Sequence, residues 1–170
     1  ISFPDKLTVN HIFEQNSDGE FKNELYKKLN YKFKYYYSYK NIGLSKSSNF
    51  LLSKVKTKYC LFTQPDINIS NNTIKMLKKS MNKNIIFASP KYVKKIKKKI
   101  YSDKKPKIKI VNNLNMACIL MDVSKVKKIG FFDEDFFLYW EDVFLMKKIK
   151  KKNYKMIKVS NAFASHESSN

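Results

Sequence analysis

Gly130-Phe-Phe-Asp-Glu-Asp-Phe-Phe-Leu-Tyr-Trp-Glu-Asp-Val-Phe-Leu-Met-Lys-Lys-Ile149 is the stretch from which the rest of the chain is read. It sets Asp133, Glu134, Asp135, Glu141 and Asp142 among phenylalanines, Tyr139 and Trp140. Ionised carboxylates beside apolar rings are costly to desolvate unless a metal, a cation or a substrate compensates them. Glu141–Lys151 reads as a helix, and a helix N-terminus stabilises the carboxylate form through its dipole. Glu141 and Asp142 are then capping acids or, against the water-poor wall of Phe136, Phe137, Tyr139 and Trp140, a general base.

Working outward, strands and helices alternate. Leu7–Phe13 reads as a strand, Glu20–Leu29 as a helix with Phe21, Leu25 and Leu29 on one face, and Tyr31–Tyr37 as a second strand. Asn41-Ile-Gly43 is a turn, and Ser45 is a candidate cap for the helix carrying Phe50, Leu51 and Val55. Lys58–Thr63 is a buried strand, Asn71–Met81 a helix, and Asn84–Ser89 a strand. Met116–Asp122 is a strand, Ser124–Ile129 a short helical turn, and Lys155–Ser160 the last strand. This alternation predicts one α/β domain over residues 1–170, a mostly parallel sheet flanked by helices. A Lys-rich insertion, loop or β-ribbon interrupts it at about 90–110.

At 170 residues and 43% hydrophobic composition the chain can bury a core, and no apolar run reaches bilayer-spanning length. Cys60 and Cys118 lie in apolar runs without metal-ligand spacing, which predicts reduced, buried thiols and a cytoplasmic setting. The net charge is +21, and all 35 basic residues are lysine. Base and phosphate recognition favours the arginine fork, so the charge reads chiefly as compositional drift on solvated faces. A nucleic-acid-binding domain using Lys94–Lys109 is the rival reading, and peripheral contact with an anionic membrane surface is a further use for the charge.

Ligands of open α/β sheets gather beyond the carboxyl ends of the strands. Three polar clusters fall there: Glu14-Gln-Asn16-Ser-Asp18; Asn41, Gly43 and Asn49 with Gln64-Pro-Asp66; and the opening motif with His166 behind it. Taken singly, the first two are ordinary turns and a lone histidine is seldom a ligand. A carboxylate ending a buried strand nonetheless suits a hard divalent cation.

In this order the clusters resemble the family 2 glycosyltransferases of GT-A (Rossmann-like) type, in particular rhamnosyltransferase-like enzymes of polysaccharide assembly at the cell envelope. The carriers are "G-FDE-FF-Y-ED" at Gly130–Asp142, "V-[DE]-N-S" near Glu14, "N-G-…-N-…-NPD" ending at Gln64-Pro-Asp66, and "A-x-x-x-H" ending at His166. The resemblance implies transfer of one sugar, with inversion, from a nucleotide diphosphate sugar to a hydroxyl of a glycan or lipid-linked acceptor. It implies Asp142 as base with Glu141 next, and Asp66 with His166 on a divalent cation, Mn2+ or Mg2+. Glu14, Asn16, Asn41, Gly43, Asn49, Gln64 and Asp66 would meet the nucleotide sugar, and Asp133, Glu134, Tyr139 and Trp140 the acceptor. The chain departs from the pattern at Gln64, where the family has an acid, and at Lys148, where it has arginine. The family's opening strand and first helix have no counterpart before Leu7, which predicts an N-terminally truncated fragment or a degenerate, non-catalytic relative. The "QxxRW" motif of processive synthases is absent from this sequence.

Overall fold

The computed structural model describes residues 10–29, 31–70, 72–96 and 105–166. Leu7, Thr8 and Val9 of the first expected strand, Asn71, and residues 97–104 of the expected insertion lie outside them. The N-terminal elements are β1 (Asn10–Gln15), α1 (Phe21–Lys28), β2 (Phe33–Ser38) and α2 (Leu44–Lys54). Then come β3 (Tyr59–Thr63), β4 (Ile67–Ile69), α3 (Thr73–Ser80), β5 (Ile85–Tyr92) and β6 (Ile108–Val111). The chain continues with β7 (Cys118–Asp122), α4 (Val123–Ile129), α5 (Glu141–Lys151) and β8 (Lys155–His166).

The strands form two sheets: a parallel β1–β2 pair, and a six-stranded sheet in the order β3-β7-β5-β8-β4 with β6 also on β8. Side chains alternate across the larger sheet. Ile119 and Met121 join Leu52, Leu145 and Ile149 beneath α2 and α5, while Leu120, Ala88 and Ile157 join Met76 and Leu77 beneath α3. Helices thus cover both faces, as the α/β reading expected.

The pairing is less parallel than expected. β1–β2 and β5–β8 run parallel, whereas β3–β7, β5–β7, β4–β8 and β6–β8 are antiparallel. A parallel neighbour requires a long crossover, usually a helix. The chain instead reverses at Pro65-Asp66 between β3 and β4, and no helix separates β5, β6 and β7 among the described residues.

The Lys-rich stretch is part ribbon. β5 runs on to Tyr92, and β6 lies antiparallel on Met156–Val159 of β8. β8 itself extends six residues beyond the expected Ser160, to His166. Ser45 is not a cap: α2 begins at Leu44 after Gly43, and Ser47 Oγ donates to the Gly43 carbonyl at 2.8 Å. Cys60 and Cys118 are free thiols, pushed by burial up to about 11 and about 12.

Candidate functional site

The turn at Pro65-Asp66 delivers the chain from β3 into β4, whose register on β8 sets Ile67 opposite His166. Asp66 and His166, a hundred positions apart in sequence, therefore meet with His166 Nε2 2.7 Å from Asp66 Oδ2, both side chains partly exposed. Thr73, at the start of α3, fixes this end of β8. Its hydroxyl donates to the Phe163 carbonyl at 2.7 Å and accepts from the Phe163 amide at 3.2 Å. Gln64 N donates to the Ala117 carbonyl, which ties the turn to the chain entering β7.

A second group gathers around the end of β1. Both carboxylate oxygens of Glu14 are buried without a hydrogen-bond partner, as are Tyr35 Oη on β2 and Ser45 Oγ on α2. A buried carboxylate lacking donors is costly. Next to it Gln15 Oε1 accepts from the Ile42 amide at 2.9 Å, and Asn41 Oδ1 accepts from the Gly43 amide at 3.0 Å. Asn16 turns the chain out of β1 with φ +57°. His11, by contrast, is a sheet-face residue stacked on Tyr36, and burial, with Lys34 nearby, lowers its pKa.

Gly43 joins this group to the 130–142 loop. Its φ is +85°, and a Cβ there would stand 2.7 Å from the Phe137 carbonyl oxygen and 2.9 Å from the Phe137 ring. Only glycine allows this approach, which lets Leu44 N donate to Phe137 O at 2.8 Å. Asn49 makes the other junction. Its side chain donates to Phe132 O and Glu134 Oε1, each at 2.9 Å, and accepts from Phe132 N at 3.0 Å. Its amide is thereby committed to holding the loop.

Within the loop Asp133 Oδ1 accepts from Asp135 N at 3.2 Å. Tyr139 and Trp140 take left-handed backbone, φ +67° and +69°, uncommon for bulky residues and concentrated at functional sites. Of the two acids opening α5, Asp142 Oδ1 accepts from the Val143 amide at 2.7 Å, while Glu141 is buried with Oε2 unpartnered. Lys148 donates to the Gly130 carbonyl and lies over the Phe144 ring, so it braces the loop. Gln15 and Thr73 are parts of these groups to which the sequence patterns gave no role.

No cluster of three or more His, Cys, Asp or Glu suited to a metal occurs among the described residues. Asp66 and His166 thus give one oxygen and one nitrogen donor, a set that fits a cation completing its shell with phosphate oxygens and water. No helix among the described residues is long and apolar enough to cross a membrane.

No protein-family model matches the chain, and no curated protein sequence does. Solved structures do. GalNAc-T7, crystallised with UDP, GalNAc and Mn2+, superposes over 93% of this chain and 37% of its own at TM-score 0.74 and 14% identity. The mannosyltransferase PcManGT from Pyrobaculum calidifontis, in complex with GDP-Man and Mn2+, does so over 89% and 45% at TM-score 0.68 and 11% identity. TarS of S. aureus matches over 98% of this chain and 32% of its own, at TM-score 0.66 and 15% identity. The chain spans less than half the length of each of these three proteins. At these identities the likeness is one of architecture, and that architecture is the GT-A glycosyltransferase fold.

Proposed function

We propose that the chain is a glycosyltransferase domain moving a single sugar, with inversion, from a nucleotide diphosphate sugar to a hydroxyl of a glycan or lipid-linked acceptor. The observation that carries this reading is the meeting of Asp66 and His166 at 2.7 Å, at the strand end where such sheets bind ligands. Two of the similar structures hold a nucleotide or nucleotide sugar together with Mn2+.

Asp66 and His166 would hold Mn2+ or Mg2+, which when bound neutralises charge developing on a diphosphate leaving group. Glu14 accepts hydrogen bonds from the nucleoside, with Asn16, Asn41, Gly43 and Gln64 around it and Asn49 behind. Asp133, Glu134, Tyr139 and Trp140 frame the acceptor, the two rings offering faces on which a sugar stacks. Asp142 takes the proton from the acceptor hydroxyl as that oxygen attacks the anomeric carbon, and Glu141 is the alternative base. Displacement from the face opposite the leaving group inverts the centre.

Calorimetry with UDP and with GDP tests the donor half of this reading. Affinity for one of them rises when Mn2+ is added, and Asp66→Ala abolishes the increment while circular dichroism stays unchanged. Equal affinity with and without metal for both nucleotides refutes the assignment of Asp66 and His166.

A further inference from the structure

Twelve large apolar side chains are exposed among the described residues, and six of them fall within eight positions: Phe137, Leu138, Tyr139, Trp140, Val143 and Phe144. Tyr139 and Trp140 are 72% and 68% exposed. Their exposure is built into the backbone. Both occupy left-handed conformations, the Leu44 amide clamps the carbonyl of Phe137, and Trp140 O accepts the Phe144 amide at 2.9 Å. An apolar cluster of this kind on a protein surface marks an interaction site.

The surroundings of the cluster select the partner. Lys147, Lys150 and Lys151 are exposed along α5 behind Val143 and Phe144, and Lys46 is exposed on α2 near the clamp. Asp133, Glu134 and Asp135 precede the rings, with Glu134 tied back to Asn49, while Glu141 is buried and Asp142, between Trp140 and Val143, is half-buried with Oδ1 on the Val143 amide. A helix rises about 1.5 Å per residue, so Lys147 and Lys151 trail Val143 by roughly 6 and 12 Å. An interfacial segment sinks its apolar face about 5–10 Å into the boundary between headgroups and acyl chains. Rings and Leu138 inserted to that depth would leave the lysines level with lipid phosphates. Tryptophan and tyrosine are the residues enriched at that boundary, and the chain's net charge of +21 favours an anionic leaflet.

We propose that Phe137–Phe144 is a membrane-interface anchor that seats the acceptor side of the domain on an anionic bilayer. Given the function proposed above, the acceptor it serves is then lipid-linked. Insertion itself is independent of that function, because nucleotide calorimetry in solution and vesicle binding are separate measurements.

Trp140 is the only tryptophan in the chain, so its fluorescence reports on the anchor directly. With phosphatidylcholine–phosphatidylglycerol vesicles its emission shifts to the blue and is quenched by brominated acyl chains, and with phosphatidylcholine alone both effects are much weaker. Leu138→Ser combined with Val143→Ser, at two exposed positions given no part in binding or catalysis, lowers partitioning by about tenfold or more. Lys147→Gln with Lys151→Gln removes much of its salt dependence. Vesicle adsorption without blue shift or quenching is the behaviour of lysines alone and overturns the anchor. So does wild-type partitioning by the Leu138/Val143 variant. A lipid-free dimer in which Trp140 is already shifted gives the face to a second copy and overturns it equally.

Discussion

The two sheets are built to different standards. In the larger one Ile85–Pro90 of β5 and all of β7 are buried, and Phe87, Cys118, Ile119 and Met121 are fully enclosed. In the β1–β2 pair no residue of β1 is fully buried, Phe33 is the one buried residue of β2, and α1 buries none. The small sheet is held to the large one through α2, the Gly43–Phe137 clamp and the Asn49 bonds to Phe132 and Glu134. The half carrying Glu14, proposed above to meet the nucleoside, is thus the half with least core of its own, whereas Asp66, His166 and the acids of α5 are rooted in the firm sheet. Stability and nucleoside recognition should therefore respond to different substitutions.

The largest effect expected from this division is on turnover. Asp142→Asn keeps the shape of the side chain and removes the basic carboxylate, so sugar transfer falls by roughly 10²–10⁴-fold, the scale of general-base loss. Nucleotide affinity stays put. Glu14→Gln does the opposite, weakening nucleotide binding while leaving the urea midpoint alone. Should Glu141→Gln damage transfer more than Asp142→Asn, the base is the buried acid; near-normal transfer by both variants makes them helix caps only.

Next comes the core. Phe87→Ala empties an enclosed site and costs about 3–5 kcal/mol, whereas Phe13→Ala on β1, where the ring is half-buried against Phe50, costs about 1 kcal/mol. Urea titrations of the two variants, giving equal losses, would erase the contrast between the sheets.

The smallest effect is a dependence on acid. Burial alone would raise the pKa of Asp122, but the hydrogen bonds from Lys125 and Ser124 and the charge of Lys125, 2.6 Å away, lower it overall. A carboxylate with a lowered folded pKa adds stability in full above its unfolded value near 4, and that contribution fades as pH falls through the folded value. Asp122→Asn should therefore flatten the acid limb of the stability curve, measured by urea titration from pH 6 down to 3. Glu24, exposed on α1 with its pKa lowered by Lys28, should give a negligible change on conversion to glutamine. An acid limb unchanged in Asp122→Asn would show that the firm sheet does not depend on this ion pair.

Legibility in the sequence follows the same division. α5 falls where its acidic start and lysine-rich end predicted, because those signals are local and reinforce one another. β4 went unread, since three residues carry no period, and β8 was cut short at polar Ser160 and Asn161 although the strand continues through them. Strand direction departs from expectation for a related reason: alternating elements imply crossovers, but among the described residues the returns after β3 and β5 lack helices. Asp66 and His166 could be named from motif order. The Gln15–Ile42 and Asn49–Glu134 bonds could not, because they join residues 27 and 85 positions apart with no pattern linking them. Ser45 was misassigned because the helix start is set by the backbone approach at Gly43 and not by a capping side chain.

One strand, β8, runs from the core at Met156 to His166, pairing with β5 up to Val159 and again at Phe163 and Ala164, and with β6 and β4 in turn. Between the partners of Pro90 and Lys91 it already carries an irregularity spanning residues 160–162, where Asn161 bonds Lys105 and Lys107, and Thr73 pins the Phe163 that follows. Because strand side chains alternate faces, losing or gaining a single codon beyond that point would turn His166 away from Asp66 while leaving the core upstream unaltered. Length changes between codons 163 and 166 should therefore leave a protein that still folds but no longer brings Asp66 and His166 together.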